Sequence, residues 1–279
     1  MARNPQDYKG ALKPTWCPGC GDFGVLTALF QAFARLDLDP NNIAIVSGIG
    51  CSSRLPGFAS TYGIHGLHGR ALPLGQGVKL ANPNLEVIVT GGDGDAFAIG
   101  GGHFPHAARR NVDLTYVVMD NRIYGLTKGQ VAPTSSLDFR TVSSPYGNFE
   151  APVKPVVWAL ASGATFVARG FSAKAGELAE ILMKAIVHKG FAFVDVLSPC
   201  ITFNRVDTFK YFQERVAPLP EGYQPNDRIH ALQLIEQEED HLHLGILYQE
   251  DRPTYHDWLK KLEVVAGRST PQELVLRQR

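Results

Sequence analysis

Leu85-Glu86-Val87-Ile88-Val89-Thr90 runs straight into Gly91-Gly92-Asp93-Gly94-Asp95, and apolar residues at helical spacing begin at Ala96. A short β-branched run of this kind reads as a strand buried on both faces. A helix that follows with almost no turn makes a strand–loop–helix unit of an open parallel sheet. In such sheets ligands bind at the carboxyl ends of the strands. Glycines there let backbone N–H groups reach phosphate oxygens, helped by the helix N-terminus. Two aspartates in the same loop would repel a bare diphosphate. A divalent cation is therefore expected between them, and Mg²⁺ commonly joins a carboxylate to phosphates.

The next apolar run, Leu114–Asp120, ends in Asp120-Asn121-Arg122-Ile123-Tyr124-Gly125. Asn121 follows Asp93 by 28 positions, the length of one helix plus one strand. That spacing places it at the carboxyl end of the neighbouring strand. A carboxylate, an Asn carbonyl and a backbone carbonyl two residues later make a cation site. Gly, Asp and Asn are also common in turns for conformational reasons alone. The pairing at two strand ends carries the reading, not either loop by itself.

Outward from this pair the same alternation continues. Ile43–Ser47, Thr165–Ala168 and Ala192–Leu197 read as further strands, and Gly24–Leu36, Ala96–Arg110 and Ala173–His188 as helices. The expected fold is α/β, a doubly wound, mostly parallel sheet with helices on both faces. Residues 1–201 form the expected cofactor-binding domain. Residues 202–279 form an irregular C-terminal arm packed on the core or on a partner, with Pro218, Pro220 and Pro225 and one candidate helix, Ile229–Glu239.

Composition narrows the function. Lys+Arg and Asp+Glu both number 27 in 279 residues. That balance argues against a nucleic-acid binder, whose footprint would be basic. No apolar run is long enough for a membrane span, and Met1 to Trp16 lacks a secretory apolar core, so a cytoplasmic location is expected. Four cysteines, Cys17, Cys20, Cys51 and Cys200, are too few for a disulfide scaffold. Cys17-Pro18-Gly19-Cys20 alone fits a redox pair, half a zinc site or two iron–sulfur ligands. Cys51 and Cys200 each follow a strand end, where the ligand site should lie. Four thiols match either Zn-Cys₄ or a 4Fe–4S cluster, and spacing does not choose between them. Cys51 and Cys200 could also be small buried residues.

Gly-Asp-Gly followed by Asn resembles the thiamine-diphosphate fingerprint. That resemblance implies Mg²⁺ on Asp93, Asn121 and the Ile123 carbonyl, with Gly94 and Asp95 beside the diphosphate. Five motifs in order narrow it further: Trp16-Cys17-Pro18-Gly19-Cys20-Gly21, Gly48-Ile49-Gly50-Cys51-Ser52-Ser53, His68-Gly69-Arg70, Gly92-Asp93-Gly94-Asp95 and Tyr124-Gly125-Leu126-Thr127-Lys128-Gly129-Gln130. Together they resemble the β subunit of the 2-oxoacid:ferredoxin oxidoreductases over about residues 10–205. The resemblance implies that Cys17, Cys20, Cys51 and Cys200 hold one 4Fe–4S cluster near the thiamine. Ile49, Gly50, Cys51, Ser52 and His68 would line the cofactor, and Gly125 and Leu126 would close over it. Lys128 would contact coenzyme A or the substrate side.

The implied reaction is coenzyme A-dependent oxidative decarboxylation of a 2-oxo acid, with electrons passing to the cluster and on to ferredoxin; reversed, it fixes CO₂. The glutamate that activates thiamine would come from an α subunit, so an αβ pair that dimerises is expected, and no catalytic residue is assigned with certainty in this chain. Arg54, three residues after Cys51, is a candidate for the distal carboxylate of 2-oxoglutarate. The runs His68–Pro73 and Gly77–Pro83 look more like 2-oxoglutarate members than pyruvate members. Pyruvate or broad specificity, a non-oxidative thiamine decarboxylase and a non-catalytic metal scaffold are the competing readings.

Overall fold

The computed structural model describes residues 3–238 and 241–266. Eight strands form one sheet: β1 Ile43–Ser47, β2 Tyr62–His65, β3 Glu86–Gly92, β4 Leu114–Asp120, β5 Phe166–Phe171, β6 Phe191–Leu197, β7 Val216–Pro218 and β8 Leu242–Gln249. Their order is β2-β1-β3-β4-β6-β5-β8-β7. Every pairing is parallel except β5 with β8. The helices are α1 Asp22–Arg35, α2 Ala71–Ala81, α3 Phe104–Arg110, α4 Pro155–Ala161, α5 Ala175–Val187, α6 Phe209–Gln213, α7 Arg228–Glu236 and α8 Tyr255–Ala266.

Strand alternation sorts the core into two layers, as a period of two requires. Ile43, Ile45, Ile88, Val117 and Val194 pack against α1 and α5. Ala44, Val46, Val87, Val89, Val118 and Phe193 face the other way, against α2, α3, α4 and α7. The sheet is thus covered on both faces, as expected for the doubly wound class. Phe104 centres the second layer, with ring centroids 5.6 Å from Phe97, 5.7 Å from Phe191 and 5.1 Å from Phe193.

Chain order turns back at β1: β2 lies on one side of it and β3 on the other. The loops after β1 and β3 therefore diverge and leave a crevice at their carboxyl ends, the expected ligand position of such a sheet.

Two expectations need correction. The helix expected over Ala96–Arg110 is split. Asp95–Ile99 forms a wide π-type turn, Gly100-Gly101-Gly102 interrupts it, and α3 starts at Phe104. Three glycines in a row remove the side chains that would hold a continuous helix. The C-terminal segment is also more regular than its sequence implies. β8 adds antiparallel to β5, β7 pairs with β8, and α7 buries Ala231 and Ile235 against the sheet. β7 has only three residues, and β8 is mostly half-buried and interrupted by Gly245, so they carry little periodic signal. Glu239, at the end of the helix expected over Ile229–Glu239, and residues 267–279 lie outside the described residues.

Truncating the central ring tests this packing. Phe104→Ala is expected to lower unfolding free energy by about 3–5 kcal/mol, read from the shift in urea midpoint. A change below about 1 kcal/mol would mean the second layer is not packed around Phe104.

Candidate active site

The crevice holds a cavity of about 110 Å³. Its walls come from the loop after β1 (Ile49–Ser52), the turn before α2 (His68), the loop after β3 (Gly92–Asp95) and the segment after β4 (Asn121, Ile123–Thr127). Each thiamine-contact residue expected from the sequence lies on it: Ile49, Gly50, Cys51, Ser52, His68, Gly94, Asp95, Gly125 and Leu126.

Asp95 fastens these walls together. Its buried Oδ1 accepts from Ile49 N at 2.9 Å and Gly69 N at 2.7 Å, and lies 2.7 Å from His68 Nδ1. Gly48 passes so close to this carboxylate that a Cβ there would collide with it. The other oxygen, Oδ2, is buried without a partner. Asp95 thus lies on the cavity wall, and its Oδ1 bonds go to the protein's own loops.

Asp93 is 1% exposed, and its Oδ2 lies 2.6 Å from Thr134 Oγ1. The same hydroxyl lies 2.8 Å from Asp120 Oδ1. One hydroxyl carries one hydrogen and cannot satisfy two carboxylates by donation. Burial pushes Asp93 well above the usual carboxylate range, and the nearby Asp120 charge adds to it. Burial raises Asp120 as well, opposed by Arg122. Two crowded buried carboxylates call for positive charge. Asn121, on the adjoining strand end, completes a set of hard oxygen donors of the kind divalent cations take. Its side chain accepts from Ile123 N at 3.0 Å, which shapes the turn presenting the Ile123 carbonyl. Sequence reasoning misses Thr134 and Asp120 as site residues. Asp120 stands inside the quoted strand end, whereas Thr134 sits in a long loop with no pattern to mark it.

The four cysteines line a second cavity, of about 160 Å³, with Trp16, Arg54 and Phe203. All four are free thiols. Trp16 Nε1 donates to the Cys51 carbonyl at 2.7 Å and fixes that loop. A Cβ placed on Gly125 would lie 3.4 Å from Cys200 Sγ and 3.8 Å from Cys51 Sγ, so the two sulfurs flank one backbone position. Among the described residues, no three His, Cys, Asp or Glu side chains converge on a single metal ion. The thiols surround a space instead. Burial raises the Cys20 thiol strongly and pushes Cys51 up to about 11, and the Asp22 charge adds to both, offset at Cys20 by a hydrogen bond with Asp22. Such thiols stay protonated unless a bound cationic centre stabilises the thiolates.

The two cavities share Cys51, Asn121, Gly125 and Leu126 as a common wall. Arg54 lines the cysteine cavity, not the first one, and donates to Thr15 Oγ1 at 2.8 Å. Lys128 is exposed just beyond the lip, with φ of +76°, a strained value for any residue but glycine.

Comparison with known proteins agrees with this arrangement. Residues 48–196 match the family described as thiamine pyrophosphate enzyme, C-terminal TPP binding domain. Residues 200–264 match the family of the C-terminal part of the pyruvate ferredoxin oxidoreductase beta chain. A 2-oxoacid:ferredoxin oxidoreductase subunit beta of Saccharolobus solfataricus is 53% identical over 208 residues, covering 74% of this chain and 68% of that protein. Subunit beta of 2-oxoacid:ferredoxin oxidoreductase 2 of Aeropyrum pernix is 44% identical over 275 residues, covering 94% and 89%. The solved 2-oxoglutarate:ferredoxin oxidoreductase of Magnetococcus marinus, holding 2-oxoglutarate, coenzyme A and succinyl-CoA, superposes with a TM-score of 0.96 at 43% identity, covering 99% of this chain and 96% of that one. With two matched families in tandem and near full-length relatives, the chain belongs to the β subunits of the 2-oxoacid:ferredoxin oxidoreductases.

Proposed function

We propose that this subunit works in coenzyme A-dependent oxidative decarboxylation of 2-oxoglutarate to succinyl-CoA and CO₂, reversible to CO₂ fixation, with ferredoxin as electron acceptor. One observation carries the reading: the cavity suited to thiamine diphosphate and the four-cysteine cavity share a wall. Asp93, Asn121 and the Ile123 carbonyl would hold Mg²⁺, and Cys17, Cys20, Cys51 and Cys200 would hold a 4Fe–4S cluster. The crowded carboxylates fit the first group; the raised thiols around an open space fit the second. When bound, thiamine diphosphate supplies a carbon nucleophile and electron sink, and the cluster supplies one-electron transfer. The protein's part is to orient and to exclude water. Asp95 holds the Ile49 loop and the His68 turn, and Leu126 covers the lip between the cavities.

No glutamate lines the cofactor cavity among the described residues. The partner α subunit would bring that group, in an αβ unit that pairs again. The choice of 2-oxoglutarate rests on the sequence runs His68–Pro73 and Gly77–Pro83 and on the substrate named for the Magnetococcus marinus enzyme. Both named β-subunit relatives are called 2-oxoacid enzymes without a specified acid, so pyruvate is the natural comparison.

The deciding experiment is viologen reduction by the anaerobically purified complex of this chain with its α partner. Coenzyme A-dependent reduction preferring 2-oxoglutarate is expected, together with about four iron and four sulfide per chain. Preference for pyruvate would overturn the substrate. Absence of iron and sulfide from a complex that still decarboxylates would replace the reading with a non-oxidative one.

Two variants probe single groups. Asp93→Asn is expected to weaken Mg²⁺-dependent thiamine diphosphate retention about 100-fold, measured by equilibrium dialysis. In the cofactor-free complex at pH 7 it should leave thermal stability unchanged or higher. The reason is a sign argument: burial raises the folded pKa of Asp93, so its ionised form opposes folding above the unfolded pKa. A drop in cofactor-free stability would contradict the crowding account. Lys128→Gly should remove backbone strain of about 1 kcal/mol and not lower the melting temperature. The same change should raise KM for coenzyme A about tenfold, since one charge contact is lost. An unchanged KM would remove Lys128 from the coenzyme A side.

A further inference from the structure

Five titratable side chains line the cofactor cavity: Cys51, His68, Asp93, Asp95 and Tyr124. Four already have roles. Cys51 belongs to the thiol set and Asp93 to the cation set. Asp95 ties two loops, and Tyr124 donates to the Gly94 carbonyl at 3.2 Å. His68 is different. Nδ1 sits 2.7 Å from Asp95 Oδ1, and a carboxylate there accepts a proton from it. That contact fixes the tautomer, as a carboxylate does behind a catalytic imidazole. Nε2 is left free on a ring that lines the cavity and is 38% exposed. The Tyr124 ring meets it edge-on at 6.2 Å and limits its rotation. An imidazole held by a buried carboxylate, with its second nitrogen uncommitted at a cavity mouth, is arranged as a proton acceptor.

We infer that His68, oriented by Asp95, is the general base for the thiol of coenzyme A. This rests on the reaction proposed above. The overall balance is 2-oxo acid anion plus coenzyme A thiol giving acyl-CoA, CO₂, two electrons and one proton. The two electrons leave through the cysteine cavity to two equivalents of oxidised ferredoxin, or of viologen in the assay. The S–H bond breaks as the C–S bond forms, and the proton goes to His68 Nε2 and then to solvent. Asp95 Oδ1 holds the ring through Nδ1 as the proton arrives at Nε2. His68 is also among the solvent-reached residues of the cavity wall, as is Leu126, so a co-substrate arriving from solvent can meet its Nε2.

The test separates this role from simple bracing. His68→Asn keeps a side-chain N–H for Asp95 but removes Nε2. Cluster reduction by 2-oxoglutarate is followed in the αβ complex by stopped-flow absorbance, first without coenzyme A and then with it. The ratio of the coenzyme A-dependent rate to the independent rate is expected to fall about 100-fold in His68→Asn. A ratio equal to wild type would show that His68 only braces Asp95 and overturn the inference. Equal slowing of both phases would place His68 at decarboxylation and overturn it too. In the wild-type complex, a solvent deuterium isotope effect is expected on the coenzyme A-dependent phase alone, and its absence would also overturn the proposal. A wild-type complex that reduces nothing with coenzyme A present would instead fail the parent reading, and this inference with it.

Discussion

A single buried oxygen, Asp95 Oδ1, gathers three donors from two segments of chain that are far apart in sequence. It stands at the first turn after β3, takes the Ile49 N–H from the loop after β1, and takes the Gly69 N–H and His68 Nδ1 from the turn before α2. The crevice between β1 and β3 exists because the strand order reverses there. A reversal alone leaves two loops free to splay. Hydrogen bonds donated by backbone N–H groups to a buried carboxylate are among the stronger local constraints available to a backbone. Cys51 lies two residues after Ile49, so the same oxygen also sets one wall of the thiol cavity. Both cavities therefore depend on this contact.

The opposite wall is fixed from the C-terminal side. Asn204 Nδ2 donates to the Asn121 carbonyl at 3.1 Å and to Asp207 Oδ2 at 3.0 Å. Asp207 in turn pairs with Arg122 at 2.9 Å, and the Arg122 guanidinium stacks 5.0 Å over the Phe212 ring. The Ser198 N–H donates to the Asp120 carbonyl, and the Gly21 N–H to that of Pro199. These bonds carry the chain from β4 to β6 and back to the first cysteine pair. Residues past Cys200, which in sequence read as an arm, are thus part of the support for both the Asn121–Ile123 turn and the Cys200 thiol. Arg122 also offsets part of the buried charge of Asp120. The local excess of carboxylate is then concentrated at Asp93, on the cavity itself.

What is legible in the sequence follows from range. Gly92-Asp93-Gly94-Asp95 and Asn121 are legible because each is a local signature, and one β–α–β step fixes their separation. Buried strands such as Ile43–Ser47 are legible because apolar runs leave no other option. The joining of Cys17, Cys20, Cys51 and Cys200 comes from resemblance, since no local rule brings four distant thiols to one space. β2 escapes because all its residues are exposed, so neither alternation nor an apolar run marks it. β8 escapes because a half-buried antiparallel strand with a central glycine resembles a loop. Thr134 lies in a long connection where hydroxyl residues are ordinary. Only the folded arrangement reveals that its hydroxyl stands between two carboxylates. Arg54 is placed by proximity alone in sequence, three residues from Cys51, and the fold sets it on the wall of the thiol cavity.

The surface explains why a neutral, well-packed chain still belongs to an assembly. β2 is an open sheet edge with Tyr62 and Ile64 exposed, and bare edges of this kind invite pairing. The connection after β4 displays Val142 at 98% and Phe149 at 90% exposure, far more than a self-contained domain needs. That display is held in shape. Asn148 donates to the carbonyls of Ser135, Ser136 and Glu150, and Ser135 Oγ donates to the Arg122 carbonyl at 2.6 Å. The root of the same connection supplies Thr134 to Asp93. A β subunit implies an α partner, and here the exposed apolar residues stand on the same connection as Thr134, whose hydroxyl meets Asp93. One connection thus carries both an exposed apolar surface and a side chain of the candidate site.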